Sequence, residues 1–496
     1  MPLPRPLVAT RLLVLAALAL TIGTDAPQAG QTRRTAWLDT AVRQARATDA
    51  LPVWVYFTDK GDASTASGTV SVTPRALARR ARRGSTTAHT VAQDRPLAGA
   101  YVATVTGLAS RVREQSRWLN AMSVEATPAQ IAAIEQLSFV SRVDVVRRYR
   151  RLREETVTPL DDDGRGPRAG ALDAADEPLD YGTGIDQVRQ MGVPELHQRG
   201  LHGEGVVVAV FDSGFPNLAH EAFAAMTIVA ERDFVDGRDS VRDSSDAHGT
   251  NTLSTLGGYA PGQLIGPAYA ASFILAVTED VRSETPVEED HWAAAAEWSE
   301  ALGADVISSS LGYLEFDLPY TSYTAADMNG ETAITTRAAA LAAERGVVVV
   351  NSAGNSGFDP GANTLGAPAD GRRVLSVGAV TRTGLRAPFS SVGPTADGRL
   401  KPDVAAMGVN VKVARHFEQA YGVASGTSFS CPLTAGVVAL VLQAHPEYTV
   451  DDVLTVMRGA ASQADAPDTL LGWGIVNASA AVDMPLPAPV AAARRR

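Results

Sequence analysis

Four polar residues in this sequence are of the types that together perform acyl transfer. Asp212 and Asn355 follow the apolar segments GVVVAVF and GVVVVNSAG, while His248 and Ser428 stand where helices are expected to begin. A serine hydroxyl needs a neighbouring base, histidine is such a base, and a carboxylate orients the imidazole and stabilises its cation. The Asn355 amide and the Ser428 backbone N–H are suitable donors to a tetrahedral oxyanion. Taken singly, each residue could instead cap a turn or a helix, so the prediction depends on the set.

Ser428 lies in the segment ASGTSFSCPLTAGVVALVLQAHP, which runs from Ala424 to Pro446 and predicts a long buried helix. A helix N-terminus adds a partial positive charge beside a nucleophile. The only cysteine, Cys431, falls in the same opening turns, and we expect a packing residue there rather than a second nucleophile. Pro432 is expected to be tolerated because its missing N–H would have no helical partner at this position.

The elements that must position these residues alternate between β-branched strands and helices from Tyr181 onwards. Such a pattern predicts an α/β fold: a mostly parallel sheet with helices on both faces, over residues 181–484. In these sheets the chemistry lies beyond the carboxyl ends of the strands, and Asp212 and Asn355 follow strands in this way. The candidate residues are therefore expected to meet at one edge of the sheet.

Residues 36–153 predict a separate, small α+β unit. The segment LPVWVYFTDK is typical of a strand, and TPAQIAAIEQL predicts a helix with Thr127 as its cap, Pro128 first and Gln130 completing a capping box. Residues 154–180 are rich in Asp, Pro, Gly and Ala and predict a linker with a processing site, and residues 485–496 predict a disordered tail.

Residues 1–29 have the basic, apolar and small-residue regions of a secretory signal peptide. With a single cysteine and therefore no intramolecular disulfide, this indicates a secreted protein of bacterial-type export. No other apolar segment reaches about 18 residues, so no membrane anchor is expected.

Charge is unevenly distributed along the chain. The net charge is −11, but the first 180 residues are basic and the remainder is acidic, so the two parts are expected to bind each other. The arginine-rich runs PRALARRARRG and RRYRRLR raise a nucleic-acid alternative. The acidic remainder and the lack of interleaved aromatic residues argue against it, and no nucleic-acid partner is expected.

The motifs DSG, HGT, AGN and GTSFSCP, in this order, resemble those of the subtilisin-like serine peptidases (subtilases) over about residues 181–484. The later segments FSSVGPTADGRLKPDVAAMG and GWGIVNASAAV resemble the same family. The resemblance implies that Asp212 orients, His248 acts as base, Ser428 attacks, and Asn355 with the Ser428 N–H forms the oxyanion hole. It implies protein or peptide substrates and no cofactor for the chemistry.

The resemblance also implies that residues 36–153 are a prodomain that assists folding and inhibits the enzyme until self-processing. It places an extended peptide against one strand edge, with a side-chain pocket opposite. The implied substrate-binding residues are Ser310, Leu311, Gly312, Ala353, Gly354 and Gly366. No acid stands at the pocket base, although Asp370 is close in sequence, so an apolar preference is expected.

Subtilases often bind structural calcium, and the segment Asp327-Met328-Asn329-Gly330-Glu331 resembles the start of an acidic calcium loop. Asp327, Asn329 and Glu331 are the candidate ligands, with the acidic cluster ETPVEED as a second candidate. A solvated acidic loop is the alternative for both.

Three other functions remain to be weighed. A catalytically inactive, peptidase-like binding protein would share the fold, but such proteins usually lack a member of the triad. A sedolisin-type peptidase would carry glutamate in place of His248 and aspartate in place of Asn355. A nucleotide-binding α/β domain would show a glycine-rich phosphate motif after a strand, and this sequence has none.

Overall fold

The computed structural model describes residues 33–61, 72–83, 92–146, 158–159, 179–243, 246–281, 287–314, 322–415, 417 and 419–486. The predicted signal peptide (1–29), the predicted linker (154–180) apart from 158–159 and 179–180, and the predicted tail from residue 487 lie outside the described residues.

The front unit is a four-stranded antiparallel sheet with helices packed against it. The strand order is β2-β3-β1-β4, and β1 pairs with both β3 and β4. The predicted capping box of Thr127 and Gln130 is present at the start of α4, with Pro128 in the first turn. The elements are α1 (Ala36–Gln44), β1 (Leu51–Phe57), α2 (Pro74–Arg82), α3 (Gly99–Leu108), β2 (Arg111–Ser116), β3 (Ala121–Ala126), α4 (Pro128–Glu135) and β4 (Val140–Val145).

The second unit is built on a seven-stranded, fully parallel sheet, which confirms the predicted α/β fold. Its strand order is β14-β13-β12-β11-β6-β10-β7. The strands are β6 (Val207–Asp212), β7 (Thr227–Asp233), β10 (Ser272–Val277), β11 (Val306–Ser309), β12 (Val348–Ser352), β13 (Val374–Val380) and β14 (Val404–Met407). The smaller strands are β5 (Thr158–Pro159), β8 (Tyr259–Ala260), β9 (Leu264–Ile265), β15 (Val411–Ala414) and β16 (Tyr421–Ala424), with β16 paired to both β15 and β5.

Helices cover both faces of the parallel sheet because alternate strand side chains point to opposite sides. Along β6, Val208 and Val210 join one core, whereas Val207, Ala209 and Phe211 join the other. The helices of the first face are α7 (His248–Gly257), α10 (Thr427–Ala444), α11 (Val450–Gly459) and α12 (Ala478–Asp483), and those of the second are α8 (Val287–Leu302) and α9 (Ile334–Glu344). Two short helices, α5 (Ile185–Arg189) and α6 (Val193–Gln198), precede the sheet.

The front unit lies on the second face and extends its core. Trp54 of β1 is packed into the same apolar cluster as α8 and α9, and its indole Nε1 donates to Asp290 Oδ1 at 2.7 Å. Arg113 and Arg117 form ion pairs with Asp290 and Glu297, at 3.4 and 3.5 Å. The basic front part and the acidic remainder therefore meet, as the charge distribution predicts.

Helix α10 is the most deeply buried long element. Among the described residues it is the one helix long and apolar enough to cross a membrane, but 89% of its most apolar stretch is buried inside the fold. Its apolar side chains contact strands of the sheet and helices α7, α11 and α12 within one core. This helix is thus a core element of the α/β unit.

Candidate active site

Asp212 and His248 are brought together at the carboxyl end of β6, an inner strand of the parallel sheet. Asp212 is the last residue of the strand, His248 opens α7, and their Oδ1 and Nδ1 atoms lie 2.7 Å apart. Asp212 is completely buried, and it also accepts from the N–H and the hydroxyl of Ser213 at 2.8 and 3.2 Å and from the hydroxyl of Thr252 at 2.9 Å. These donors fix the orientation of the Asp212 carboxylate.

The local sequence allows His248 this close approach. A Cβ atom at Gly249 would lie 2.3 Å from the carbonyl oxygen of Gly214, so only glycine fits after the histidine. The His248 N–H donates to Asp246 Oδ1 at 2.7 Å, which provides one of the first-turn donors with an acceptor. The histidine ring lies 5.8 Å from the ring of Phe429, the residue that follows Ser428.

Ser428 occupies the first turn of α10 and is 5% exposed. Its hydroxyl donates to the carbonyl oxygen of Ser310 at 3.2 Å, and the Ser310 hydroxyl donates to the carbonyl oxygen of Ser428 at 2.8 Å. This reciprocal pair joins the nucleophile position to the end of β11.

The same pair corrects the expectation for Pro432. Helix α10 begins at Thr427, so the proline is inside the helix, and the Ser428 carbonyl is the one that a residue 432 N–H would have reached. The proline removes that bond, and the Ser310 hydroxyl supplies a donor instead. An N–H at position 432 would therefore have a helical acceptor, the Ser428 carbonyl. That carbonyl accepts from the Ser310 hydroxyl, just beyond the end of β11, instead.

Asn355 is oriented by Thr427, a residue whose contribution the sequence did not reveal. The Thr427 N–H and hydroxyl both donate to Asn355 Oδ1 at 2.9 Å, and the Thr427 hydroxyl accepts from the Gly354 N–H at 3.2 Å. Since two donors fix Oδ1 toward the helix, Nδ2 is on the opposite side of the amide. The short hydroxyl side chain before the serine is the sequence feature that could have indicated this contact.

The predicted substrate-binding segments also lie together. Asn351 and Ser352 of β12 donate to the Leu311 carbonyl at 2.9 and 3.3 Å, which fixes the segment after β11. Gly366 donates to the Ala353 carbonyl at 3.2 Å. A Cβ atom at Gly366 would approach Gly312 Cα to 3.1 Å, so the two glycines are in close contact.

Asp370 does not face this region as an available acid. It is fully buried, and it accepts bonds from the Thr336 hydroxyl at 2.6 Å and the Gly330 N–H at 2.7 Å. Burial raises the pKa of this carboxyl, and the two donors lower it in part. Its role here is to join α9 to the loop around Gly330.

The candidate calcium segment is a closed turn. Asp327 accepts from the Thr324 N–H at 2.9 Å and its hydroxyl at 2.8 Å, and Asn329 Oδ1 accepts from the N–H groups of Glu331 and Thr332 at 2.9 and 3.1 Å. Across the described ranges, no three His, Cys, Asp or Glu side chains are grouped to hold a metal ion. This arrangement does not favour a cation there, and calcium binding stays a prediction.

Cys431 is a packing residue, as predicted. It is completely buried, and burial raises the pKa of its thiol to about 12. The sulfur lies 3.4 Å from the Ser309 carbonyl and 3.5 Å from that of Val350. A thiol with so high a pKa is not a nucleophile at neutral pH.

Comparisons with known proteins agree with this architecture. A family model described as the subtilase family matches residues 203–474, and one described as the peptidase S8 propeptide domain, Bacteroidota, matches residues 52–159. Subtilisin NAT of Bacillus subtilis subsp. natto is 30% identical over 299 residues, which cover 60% of this chain and 70% of that protein. Serine protease AprX of Bacillus subtilis (strain 168) is 31% identical over 315 residues, which cover 57% of this chain and 67% of that protein.

Among solved structures, fervidolysin from Fervidobacterium pennivorans, described as a keratinolytic enzyme related to subtilisin, matches with a TM-score of 0.64 and 21% identity. The match covers 90% of this chain but 63% of that one, and it shows the shared fold. The subtilase model covers more than half of the chain. The chain therefore belongs to the subtilase family of serine endopeptidases and carries a propeptide domain of that family.

Proposed function

We propose that this chain is the self-processing zymogen of a secreted serine endopeptidase whose triad is Asp212, His248 and Ser428. The observation that carries the proposal is the 2.7 Å contact between Asp212 Oδ1 and His248 Nδ1, at the strand edge that also receives the N-terminus of α10. An unrelated structural role would not require a buried aspartate to hold a histidine whose ring lies 5.8 Å from that of Phe429, the residue after Ser428.

The chemistry follows from these positions. With Nδ1 bonded to Asp212, the His248 Nε2 atom is the acceptor for the Ser428 proton as Oγ attacks the peptide carbonyl. The proton then passes from His248 to the leaving amine, and an acyl-enzyme remains. A water molecule, deprotonated by His248 in the same way, attacks the acyl group and releases Ser428. Ser428 must first turn from the Ser310 carbonyl, to which its hydroxyl donates at 3.2 Å, towards the histidine.

The oxyanion of the tetrahedral intermediate would be bound by Asn355 Nδ2 and the Ser428 N–H. Support comes from Thr427, which holds Asn355 Oδ1 toward the helix by two bonds of 2.9 Å and so turns Nδ2 away from it. The Ser428 N–H lies in the first helical turn, where backbone donors have no helical acceptor. Donors fixed in advance lower the barrier because they need no reorganisation during the reaction.

A substrate would bind as an extended peptide along Ser310–Gly312, with its side chain between that segment and Ala353–Gly354 and with Gly366 at the base. Asp370 is buried and accepts two hydrogen bonds, so it offers no free carboxylate to a basic side chain of the substrate. This supports a pocket that prefers apolar side chains. The prodomain would occupy the enzyme as an intramolecular inhibitor until the linker is cut. Secretion through the predicted signal peptide completes the proposal.

Serine-directed labelling and casein hydrolysis test the proposal on the purified full chain. We expect the wild-type chain to shorten itself, hydrolyse casein and react with a fluorophosphonate. Ser428→Ala should abolish all three, with a loss of roughly 10⁶-fold in kcat, the magnitude measured in subtilisin itself. Ser430→Ala is the matched control, because this buried hydroxyl in the same turn donates only to the Thr427 carbonyl, at 3.0 Å.

The catalytically inactive binding protein is the rival function. It requires a wild-type chain that neither hydrolyses casein nor labels with the fluorophosphonate. Proteolysis that survives in Ser428→Ala would refute the assigned nucleophile.

A further inference from the structure

The two oxygens of the Asp212 carboxylate have different surroundings. Oδ1 accepts from His248 Nδ1 at 2.7 Å and from the N–H and hydroxyl of Ser213 at 2.8 and 3.2 Å. Oδ2 accepts from the Thr252 hydroxyl at 2.9 Å. Since Asp212 is 0% and Thr252 1% exposed, the bond to Oδ2 is shielded from bulk water. This threonine is therefore the donor that serves the second carboxylate oxygen.

Thr252 lies on the same helix as the histidine. It belongs to α7, which His248 opens, and it follows His248 by four residues. Residues four apart lie on one face of an α-helix, one turn above the other. Both side chains therefore reach Asp212, the last residue of β6, from a single rigid element. The helix holds both oxygens, so the carboxylate cannot rotate about its Cβ–Cγ bond without losing one of these contacts.

The Thr252 hydroxyl has one proton and two acceptors within reach. The carboxylate Oδ2 atom lies at 2.9 Å, and the carbonyl oxygen of Gly249, one turn earlier in the helix, lies at 3.2 Å. A carboxylate is a stronger acceptor than a backbone carbonyl, and here it is also the nearer one. The hydroxyls of Ser254 and Thr255 on this helix donate to the carbonyls of Asn251 and Thr252, at 2.7 and 2.8 Å. Thr252 differs from these two because it serves a side chain of the candidate site.

The hydroxyl at position 252 brings no advantage in packing. Valine has the same branched shape without a polar atom, and threonine is no better than valine inside a helix. At a position that is 1% exposed, a hydroxyl lowers stability unless it is hydrogen-bonded. The contact with the Asp212 carboxylate therefore accounts for threonine at this position.

We propose that Thr252 is a positioning residue of the triad, whose hydroxyl holds Oδ2 of Asp212 so that Oδ1 stays aligned with Nδ1 of His248. The inference rests on the proposed function, in which His248 takes the proton of Ser428. The carboxylate has to keep one orientation while the imidazole gains and loses that proton. The donor to Oδ2 fixes this orientation, and it also draws part of the carboxylate charge away from the histidine. Thr252 thus acts through Asp212 and not on the substrate.

Four variants of the full chain test the proposal. Thr252→Val keeps the shape and removes the hydroxyl, whereas Thr252→Ser and Thr252→Ala differ from each other only in that hydroxyl. Thr255→Val is the matched control, because this fully buried hydroxyl of the same helix donates to the Thr252 carbonyl instead. After self-shortening is complete, kcat and KM are measured with a chromogenic peptide. Active sites are counted by fluorophosphonate labelling, so that unfolded chains do not contribute.

The first readout is the rate per active site. We expect Thr252→Val to lower kcat about tenfold to 100-fold with KM within about twofold of wild type, because the lost bond to a charged group acts on the chemical step. Thr252→Ser should recover most of the rate, and Thr255→Val should stay within about twofold of wild type.

The second readout, the pH dependence of kcat/KM, separates positioning from general damage to the helix. Its acid limb reports the protonation of the base in the free enzyme. Asp212 contacts the ring of His248, and Asp246 accepts from the His248 backbone N–H, at 2.7 Å each. Without the donor to Oδ2, more of the Asp212 charge acts on the histidine, which then keeps its proton to a higher pH. The acid limb should move to higher pH by about half a pH unit in Thr252→Val and stay in place in Thr255→Val.

Two results overturn the proposal. One is a Thr252→Val enzyme with the wild-type kcat, and the other is a lower kcat whose acid limb has not moved to higher pH, since damage to the helix alone would explain it. If Thr252→Val does not fold, Thr252→Ser and Thr252→Ala decide the question, and equal kcat values and acid limbs in these two overturn the proposal. A wild-type chain that neither shortens itself nor hydrolyses the peptide overturns the proposed function instead.

Discussion

Replacing Thr427 by valine should lower the rate of the chemical step without altering substrate binding. Valine keeps the branched shape at this fully buried position but lacks the hydroxyl, which donates to Asn355 Oδ1 at 2.9 Å and accepts from Gly354 N–H at 3.2 Å. One of the two donors that orient the oxyanion-hole amide is therefore lost. The other, the Thr427 N–H, remains.

The expected magnitude follows from one hydrogen bond. A buried bond of this kind contributes about 1 kcal/mol, and a barrier change of 1.4 kcal/mol is tenfold in rate. We therefore expect kcat to fall about fivefold to tenfold with KM nearly unchanged, because the amide acts on the transition state. The Gly354 N–H also loses its acceptor, so unfolding should become about 1–3 kcal/mol easier.

A double-mutant cycle with Asn355→Ala is the assay. Thr427→Val should slow the wild-type enzyme but have little effect in the Asn355→Ala background, where no amide remains to be oriented. Ser430→Ala, which removes a hydroxyl from the same turn, controls for general damage to the helix. A second full loss on top of Asn355→Ala would refute the positioning role, since Thr427 would then act on something else.

Three further outcomes can be measured. Asp403→Asn should lower the free energy of unfolding, measured in urea, by about 3–5 kcal/mol. In the wild-type chain the buried Lys401 Nζ lies 2.6 Å from Asp403 Oδ2, and the substitution removes this counter-charge. Gly249→Ala should lower kcat/KM at least about 100-fold, because the added Cβ would lie 2.3 Å from the Gly214 carbonyl oxygen and would displace His248. A variant that folds normally and is fully active would contradict this. Burial lowers the pKa of His197 from 6.5 to about 4, so the unfolded chain takes up the proton first and the free energy of unfolding should fall as the pH drops from about 6.5 to about 4. In His197→Gln this fall should be smaller than in the wild-type chain but still present, because burial also lowers the pKa values of His220 and His291; an equal fall in both proteins would contradict the assignment.

Much of the fold and the order of the candidate site residues could be predicted because these features are local. Strand ends are visible in β-branched runs, and the glycine after His248 is required because a Cβ there would lie 2.3 Å from the Gly214 carbonyl oxygen. The family resemblance then assigned the roles, and the propeptide was expected from it and from charge.

The contacts that tune the site could not be predicted in the same way. Ser310 and Ser428 are 118 residues apart and Asn355 and Thr427 are 72 apart, so no periodicity relates them. Which carbonyl a hydroxyl reaches depends on how two elements pack, and that packing is a property of the whole chain. The error over Pro432 had the same origin, because the donor that replaces its N–H is the hydroxyl of Ser310, the residue after the end of β11.

The burial of α10 has a consequence for how this enzyme resists digestion by other copies of itself. A peptidase at high concentration is surrounded by copies of itself that cut any segment which unravels. Segments that open locally exchange their amide hydrogens quickly, whereas amides of a central core helix exchange only through global opening. Because residues 427–442 are all buried, the backbone that carries Ser428 should be among the slowest-exchanging parts of the molecule. Loss of activity and loss of the whole fold should then coincide, and autolysis should begin at the surface loops and not at the catalytic machinery.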